Sequence, residues 1–211
     1  MLGYPPTITQ QKYPMSLLSY NRLRTLIDEG VITADPKQVN GSSIDLTLHN
    51  LIRREVKYES AKPDSPMIRI ARKHNIISEE LDIQYFHAGF DENHNQICGY
   101  PLVPDEFILA SSNEFFNLPD NISAEYKLKS SMARNGLEHL NAGWCDAGWN
   151  GSRLTLELKN VTRYHRLLLE EGMPIGQVVF FEHEPVPQDK SYAAVGQYNG
   201  QSKVTESKGI R

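Results

Sequence analysis

The sequence predicts an all-β domain, a sandwich or barrel with helices at its edges. Two observations carry that prediction. From residue 101 onward, short runs of alternating apolar residues follow at close intervals with turn signals between them. Only one stretch, 16–30, has a convincing helical period.

The bulk composition fits one such domain. The chain has 211 residues, 39% hydrophobic and 23% charged. A formal net charge of −4 argues against a general nucleic-acid binder, whose affinity rests on Lys and Arg neutralising phosphates. A small anionic ligand held by a local cluster is still allowed. No apolar run approaches the roughly 18 residues of a membrane span. The start, "MLGYPPTITQQKYP", lacks the basic and apolar regions of a signal peptide. A cytoplasmic protein with no membrane partner is expected. Cys98 and Cys145 stand apart, with no CxxC pair, so neither a disulfide framework nor a Cys-rich zinc site is expected. His87, His94 and Asp91 could bind a metal, but a polar loop is the better reading of "FHAGFDENHNQ".

In chain order, residues 1–15 read as an extended arm with three prolines. "SLLSYNRLRTLIDEG" (16–30) is a core-packing helix, with Leu23, Leu26 and Ile27 at helical spacing, Ser19 as N-cap and Gly30 as the stop. "TADPKQVNG" is turn material. "SSIDLTLHN" (42–50) alternates strictly, with Ile44, Leu46 and Leu48 on one face and Ser43, Asp45 and Thr47 on the other. Residues 61–100 read as an irregular insertion with a short helix near "ISEEL". Then come the strands "EFILASS", "EFFNLP", "AEYKLKSS", "EHLNAGWC", "RLTLELKN", "HRLLLEE" and "IGQVVFFE", with turns at Asn150-Gly151 and Glu171-Gly172. The polar tail from 195 onward is expected to be mobile when nothing is bound.

Three stretches could carry chemistry. In "KLKSSMARNG", Lys127, Lys129 and Arg134 surround the hydroxyls of Ser130 and Ser131. Cations with hydroxyl donors suit a di- or triphosphate, although solvated surface explains most such clusters. "AGWCDAGWNG" (142–151) packs three glycines, two tryptophans and Asp146 into ten residues. Small residues let a ligand approach the backbone, while a tight hairpin explains the glycines equally well. In "RLTLELKN" (153–160), Thr155 and Glu157 lie opposite the Leu154, Leu156 and Leu158 face. A carboxylate among apolar neighbours suits proton transfer near neutral pH.

Taken in order, "KSSMARNGL…AGWCDAGWNG…LTLELKN…MPIGQVVFFE" resembles the dCTP deaminases of the trimeric dUTPase superfamily. The blocks "LIDEGVITADP…VNGSSIDLTLHN", "VPDEFILASSNEFFNLPDNI" and "QYNGQSKVTESKG" extend the resemblance over roughly 16–60 and 101–209. It implies a distorted jelly-roll or β-barrel of the dUTPase-like type, with the body at 16–196 and a C-terminal lid at 197–211. It also implies a homotrimer with sites between subunits, and hydrolytic deamination of dCTP to dUTP and ammonia. Glu157 aligns with the catalytic glutamate, and Asp45 becomes a buried hydrogen-bonding residue. The Ser130 hydroxyl and the Ala142 carbonyl would hold the water. Arg134 would pair with the glutamate or stabilise developing charge. Lys129, Ser131 and Gln201 would meet the triphosphate with its Mg²⁺, and Asp146, Trp149, Thr155, Gln177, Tyr192 and Tyr198 would bind substrate. Zinc deaminases carry an H-x-E…P-C-x-x-C signature, which this sequence lacks, so no zinc is expected.

Lys129 stands where the family usually has Arg, Gln197 where a Lys is common, and Ala147 where a proline is common. "AGWCDAGWNG" also sits one residue closer to Arg134 and one farther from Glu157 than is typical. Placing the extra residue in the "WNGSR" turn keeps Glu157 on its face. The alternative readings are a bifunctional enzyme forming dUMP, a dUTPase, and a nucleotide-sensing regulator without turnover. Deamination alone, with Asp146 binding sugar, is the favoured expectation.

Overall fold

Two antiparallel five-stranded sheets pack their apolar faces together. The computed structural model describes residues 16–56, 76 and 78–209; the expected arm and much of the 61–100 stretch lie outside them.

The chain enters through β1 (Ser16–Leu17) and the helix α1 (Tyr20–Asp28). Leu23 and Leu26 are fully buried. Ser19 holds the N-cap position, but its hydroxyl makes no capping bond. The stop is as read: Gly30, at φ 72°, donates to the Ile27 carbonyl, and Val31 donates to Leu26, closing the helix with a reversed turn. β2 (Ile44–Thr47) follows, with Ile44 and Leu46 fully buried, as its alternation requires. Its register against the second sheet is fixed by Glu114, only 3% exposed. That carboxylate accepts from the Thr47 amide and hydroxyl and from Gln38 Nε2, at 2.7–3.2 Å. Asp45 is half-buried rather than buried, accepting from Asn40 and from Lys129.

β3 (Leu51–Glu55) pairs with β4 (Ser78–Asp82), so "SEELD" is a strand and not the expected helix. Its carboxylates meet arginines across the ladder, Glu79 with Arg54 at 2.6 Å and Glu80 with Arg53 at 3.9 Å. β5 (His87–Phe90) and β6 (Gln96–Cys98) form a hairpin around Asp91, which accepts from Asn93 and Asn95. β7 (Tyr100–Leu102) leads to β8 (Phe107–Asn117), one continuous strand where two were expected.

β9 (Ile122–Leu128) ends at α2 (Ser130–Arg134), so "KSS" turns into a helix instead of extending the strand. "EHLNAGWC" divides into β10 (Leu137–His139) and β11 (Trp144–Cys145), broken by Asn141 at φ 63°. β12 (Asn150–Asn160), β13 (Leu167–Leu169), β14 (Pro174–Glu182) and the short helix α3 (Tyr192–Val195) complete the chain.

The first sheet runs β1-β14-β9-β11, with β2 also on β14, and the second runs β10-β12-β8-β3-β4. Leu156 and Leu158 of β12, Ile108 and Ala110 of β8, and Val178 and Phe180 of β14 are fully buried between them. Each buried leucine contributes about 1.5–3 kcal/mol. No described helix is long and apolar enough to cross a membrane.

Candidate active site

β12 buries its leucines inward and turns Thr155 and Glu157 outward, as the alternation predicts. Two bulges precede that stretch. Asn150 pairs with Asn117 and Ser152 with Phe116, leaving Gly151, at φ 62°, as the extra residue. The expected Asn-Gly turn is therefore a glycine bulge inside the strand; both structures need the same positive φ. In the second bulge, Arg153 pairs with Phe115 and Thr155 with Ser111. The surplus falls in β8, whose Ser112 and Asn113 carbonyls accept from Arg153 Nη1.

Thr155 and Glu157 open into a cavity of about 540 Å³. Ala142, Asp146, Trp149, Tyr192, Tyr198 and Gln201 line it as well. Three polar atoms on its wall are buried without a hydrogen-bond partner among the described residues: Thr155 Oγ1, Glu157 Oε2 and Gln201 Oε1. Buried polar groups are nearly always satisfied, so three orphans in one cavity mark a place where a ligand belongs. His139, 6% exposed, brings Nε2 to 3.3 Å from Glu157 Oε2. The pair is within ionic reach but does not form a hydrogen bond, so both atoms keep capacity for another partner. The Tyr126 ring packs edge-on against the imidazole at 4.6 Å. Burial, with the Glu157 charge adding to it, pushes the Tyr126 phenol well above its ordinary value.

The 142–149 segment also lines the cavity, through Ala142, Trp144, Cys145, Asp146 and Trp149. A Cβ on Gly143 would lie 2.8 Å from the Tyr126 carbonyl, and one on Gly148 would collide with Ser191 Oγ. These glycines serve chain packing, not ligand approach. Asp146 is held by Trp144, whose Nε1 donates to Oδ1 at 2.8 Å. Trp149 is buried against Phe116 and donates its indole N–H to the Tyr198 carbonyl at 2.8 Å. Gln201 Nε2 donates to that carbonyl too, and the Gln201 amide donates to Ser152 Oγ. The tail is therefore docked along the cavity, with Thr205, Glu206 and Ser207 in its lining.

The other expected site residues lie apart from the cavity within one chain. Ser130, Ser131 and Arg134 are exposed on α2, and Arg134 does not reach Glu157 of its own chain. Lys129 Nζ donates to Asp45 Oδ2 at 2.6 Å, and Gln177 accepts from Ser43 at 2.9 Å. Sequence reasoning missed His139, Phe107 and Leu109 in or beside the cavity. Leu109 faces Glu157 across the β8–β12 ladder, a register that no local motif reveals. Among the described residues, no cluster of three or more His, Cys, Asp and Glu is placed to hold a metal.

Residues 17–183 match the family model for dCTP deaminase-like proteins. The chain belongs to the dCTP deaminase-like family. A relative from Methanoregula boonei named "dCTP deaminase, dUMP-forming" is 35% identical over 191 residues, covering 89% of this chain and 93% of its own. One of the same name from Nanoarchaeum equitans is 34% identical, covering 90% and 96%. A third, from Methanosphaerula palustris, is 43% identical over 51% of this chain, and the match spans 57% of its own length. The crystal structure of 2'-deoxycytidine 5'-triphosphate deaminase from Agrobacterium tumefaciens superimposes with a TM-score of 0.57. It is 21% identical, and the match covers 80% of this chain and 48% of that one. The all-β body of this chain shares the fold of that deaminase.

Proposed function

We propose that this protein is a cytoplasmic dCTP deaminase that also removes pyrophosphate, giving dUMP. The observation that carries the reading is the convergence on one cavity of Thr155 Oγ1, Glu157 Oε2 and Gln201 Oε1, which have no hydrogen-bond partner among the described residues. Glu157 takes a proton from a water whose oxygen bonds to cytosine C4, and the proton passes to N3. The same carboxylate then takes the proton of the new C4 hydroxyl and delivers it to N4; as the C4 carbonyl forms, the C4–N4 bond breaks and ammonia leaves. The Ala142 carbonyl and the Ser130 hydroxyl hold that water.

Ser130, Ser131 and Arg134 reach the cavity from a neighbouring subunit of a homotrimer. Their exposure on α2, away from their own chain's cavity, supports that arrangement. Lys129, Ser131 and Gln177 meet the triphosphate, which brings its own Mg²⁺ as part of the substrate, and Gln201 meets it from the tail.

The names of the relatives favour dUMP over the dUTP expected from deamination alone. On this reading Asp146 activates a second water, which attacks the α-phosphorus as the bond to the bridging oxygen breaks and pyrophosphate departs.

Incubating purified protein with dCTP and Mg²⁺, and measuring ammonia with chromatography of the nucleotides, tests the proposal. Ammonia with dUMP and pyrophosphate is expected. Accumulated dUTP would restore the monofunctional reading. Pyrophosphate from dUTP with no ammonia from dCTP would make the protein a dUTPase. Tight binding without turnover would make it a regulator.

A further inference from the structure

Glu157, Leu109, Arg53 and Glu80 form one row across four strands, each directly opposite the next in register. Two strand spacings separate Glu157 from Arg53, about 10 Å along the sheet. The tail crosses the far end of this row. Arg53 Nε donates to Glu206 Oε1 at 3.1 Å, with Nη2 at 3.0 Å from the same oxygen. The Ser78 hydroxyl donates to that oxygen as well. Lys203 lies 3.5 Å from Glu80, but its side chain is 63% exposed and the pair contributes little. Arg53 and Glu206 are 22% and 28% exposed, and two guanidinium nitrogens converge on one carboxylate oxygen, so this pairing is the stronger anchor. Thr205, Glu206 and Ser207 line the cavity next to this anchor, as do Leu109 and Ile76.

We propose that Arg53 and Ser78 form a latch for Glu206 that seats the tail over the cavity, which makes the β3–β4 strand pair a positioning element for nucleotide binding. The part concerning the nucleotide rests on the deaminase reading above. Two effects act together. The latch holds the 203–208 segment in place, so its ordering is not left to the moment of binding. Arg53 also neutralises a carboxylate that would otherwise oppose an anionic triphosphate in the same cavity.

Two measurements test this on the full-length protein. Hydrogen exchange without nucleotide reads the tail directly. Arg53→Ala should speed exchange of the 203–208 amides about tenfold, the loss of one charged hydrogen-bonded anchor, while β12 stays protected. Steady-state kinetics with dCTP and Mg²⁺ should show KM raised about tenfold with kcat within about threefold. The charge swap Arg53→Glu with Glu206→Arg should return both readouts towards the parent values. Ser78→Ala, which keeps the arginine, should show the same trend more weakly and guards against a folding defect in the first variant.

Unchanged exchange in Arg53→Ala and Ser78→Ala would overturn the latch. Faster exchange with an unchanged KM would overturn its role in positioning and leave the deaminase reading standing. If the parent protein releases no ammonia from dCTP, the deaminase reading falls, and the exchange comparison still decides the latch.

Discussion

His139 Nε2 lies 3.3 Å from Glu157 Oε2 without a hydrogen bond between them, and the Tyr126 ring backs the imidazole at 4.6 Å. The carboxylate is therefore placed by packing, with an oxygen left over for a substrate proton. Replacing Glu157 with Gln keeps the shape and removes the proton carrier. We expect deamination to fall by about 10²–10⁴-fold or more with dCTP affinity nearly retained. Ammonia release and calorimetric titration check this, and substantial residual turnover would sink the assignment of Glu157. His139→Gln should cost roughly 10–100-fold in kcat with little change in KM, because it disturbs placement and leaves substrate contacts intact.

On the proposed dUMP-forming reading, Asp146 is the residue that would separate the two chemical steps. Its carboxylate lines the same cavity as Glu157 and is held by Trp144. In Asp146→Asn, ammonia should still be released from dCTP while the product shifts from dUMP to dUTP. Anion-exchange chromatography of quenched reactions reads the ratio. Loss of ammonia and dUMP in parallel would mean that Asp146 only binds substrate.

Cys145 borders the cavity, yet burial pushes its thiol up to about 12, with the Asp146 charge adding to the effect. A raised pKa leaves almost no thiolate at neutral pH, and the thiolate is the nucleophile. A maleimide at pH 7.5 should label Cys98, which is exposed, and spare Cys145 in the folded protein. Peptide mapping decides it; rapid labelling of Cys145 would contradict the burial.

Glu114 is the structural carboxylate of this fold. Glu114→Ala removes the acceptor of the Thr47 amide and hydroxyl and one of the two acceptors of Gln38 Nε2, which keeps the Asp45 carbonyl. A loss of about 2–4 kcal/mol in chemical unfolding is expected. An unfolding midpoint unchanged from the parent would show that water replaces the carboxylate.

The sequence was most readable where one face of a strand is buried. Ile44, Leu46 and Leu48, and the leucines around Glu157, could be placed from their period alone, because a slip of one residue would expose them all. Residues 78–82 were misread because glutamates favour helices locally. Their conformation is decided by Arg53 and Arg54 on a strand more than 20 residues earlier. Asn150-Gly151 signals a positive φ but not whether a turn or a bulge uses it. His139 carried no signal, since its approach to Glu157 depends on how β10 meets β12. The α2 hydroxyls and cations were visible as a cluster, but their distance from their own chain's cavity was not.

The paired irregularities ahead of Thr155 affect how this chain tolerates change in length. Gly151 is surplus on β12, and the β8 surplus between Ser111 and Phe115 lies opposite Leu154, so both irregularities fall ahead of Thr155 along β12. The ladder is in step again from Thr155 to Lys159. A residue gained or lost in the 150–154 segment during divergence can be taken up there by opening or closing a bulge, without rotating Glu157 to the other face. The same insertion after Thr155 would invert the strand at the glutamate. Natural drift in loop length is therefore permitted on one side of a boundary two residues before Glu157, and engineered insertions should respect the same boundary.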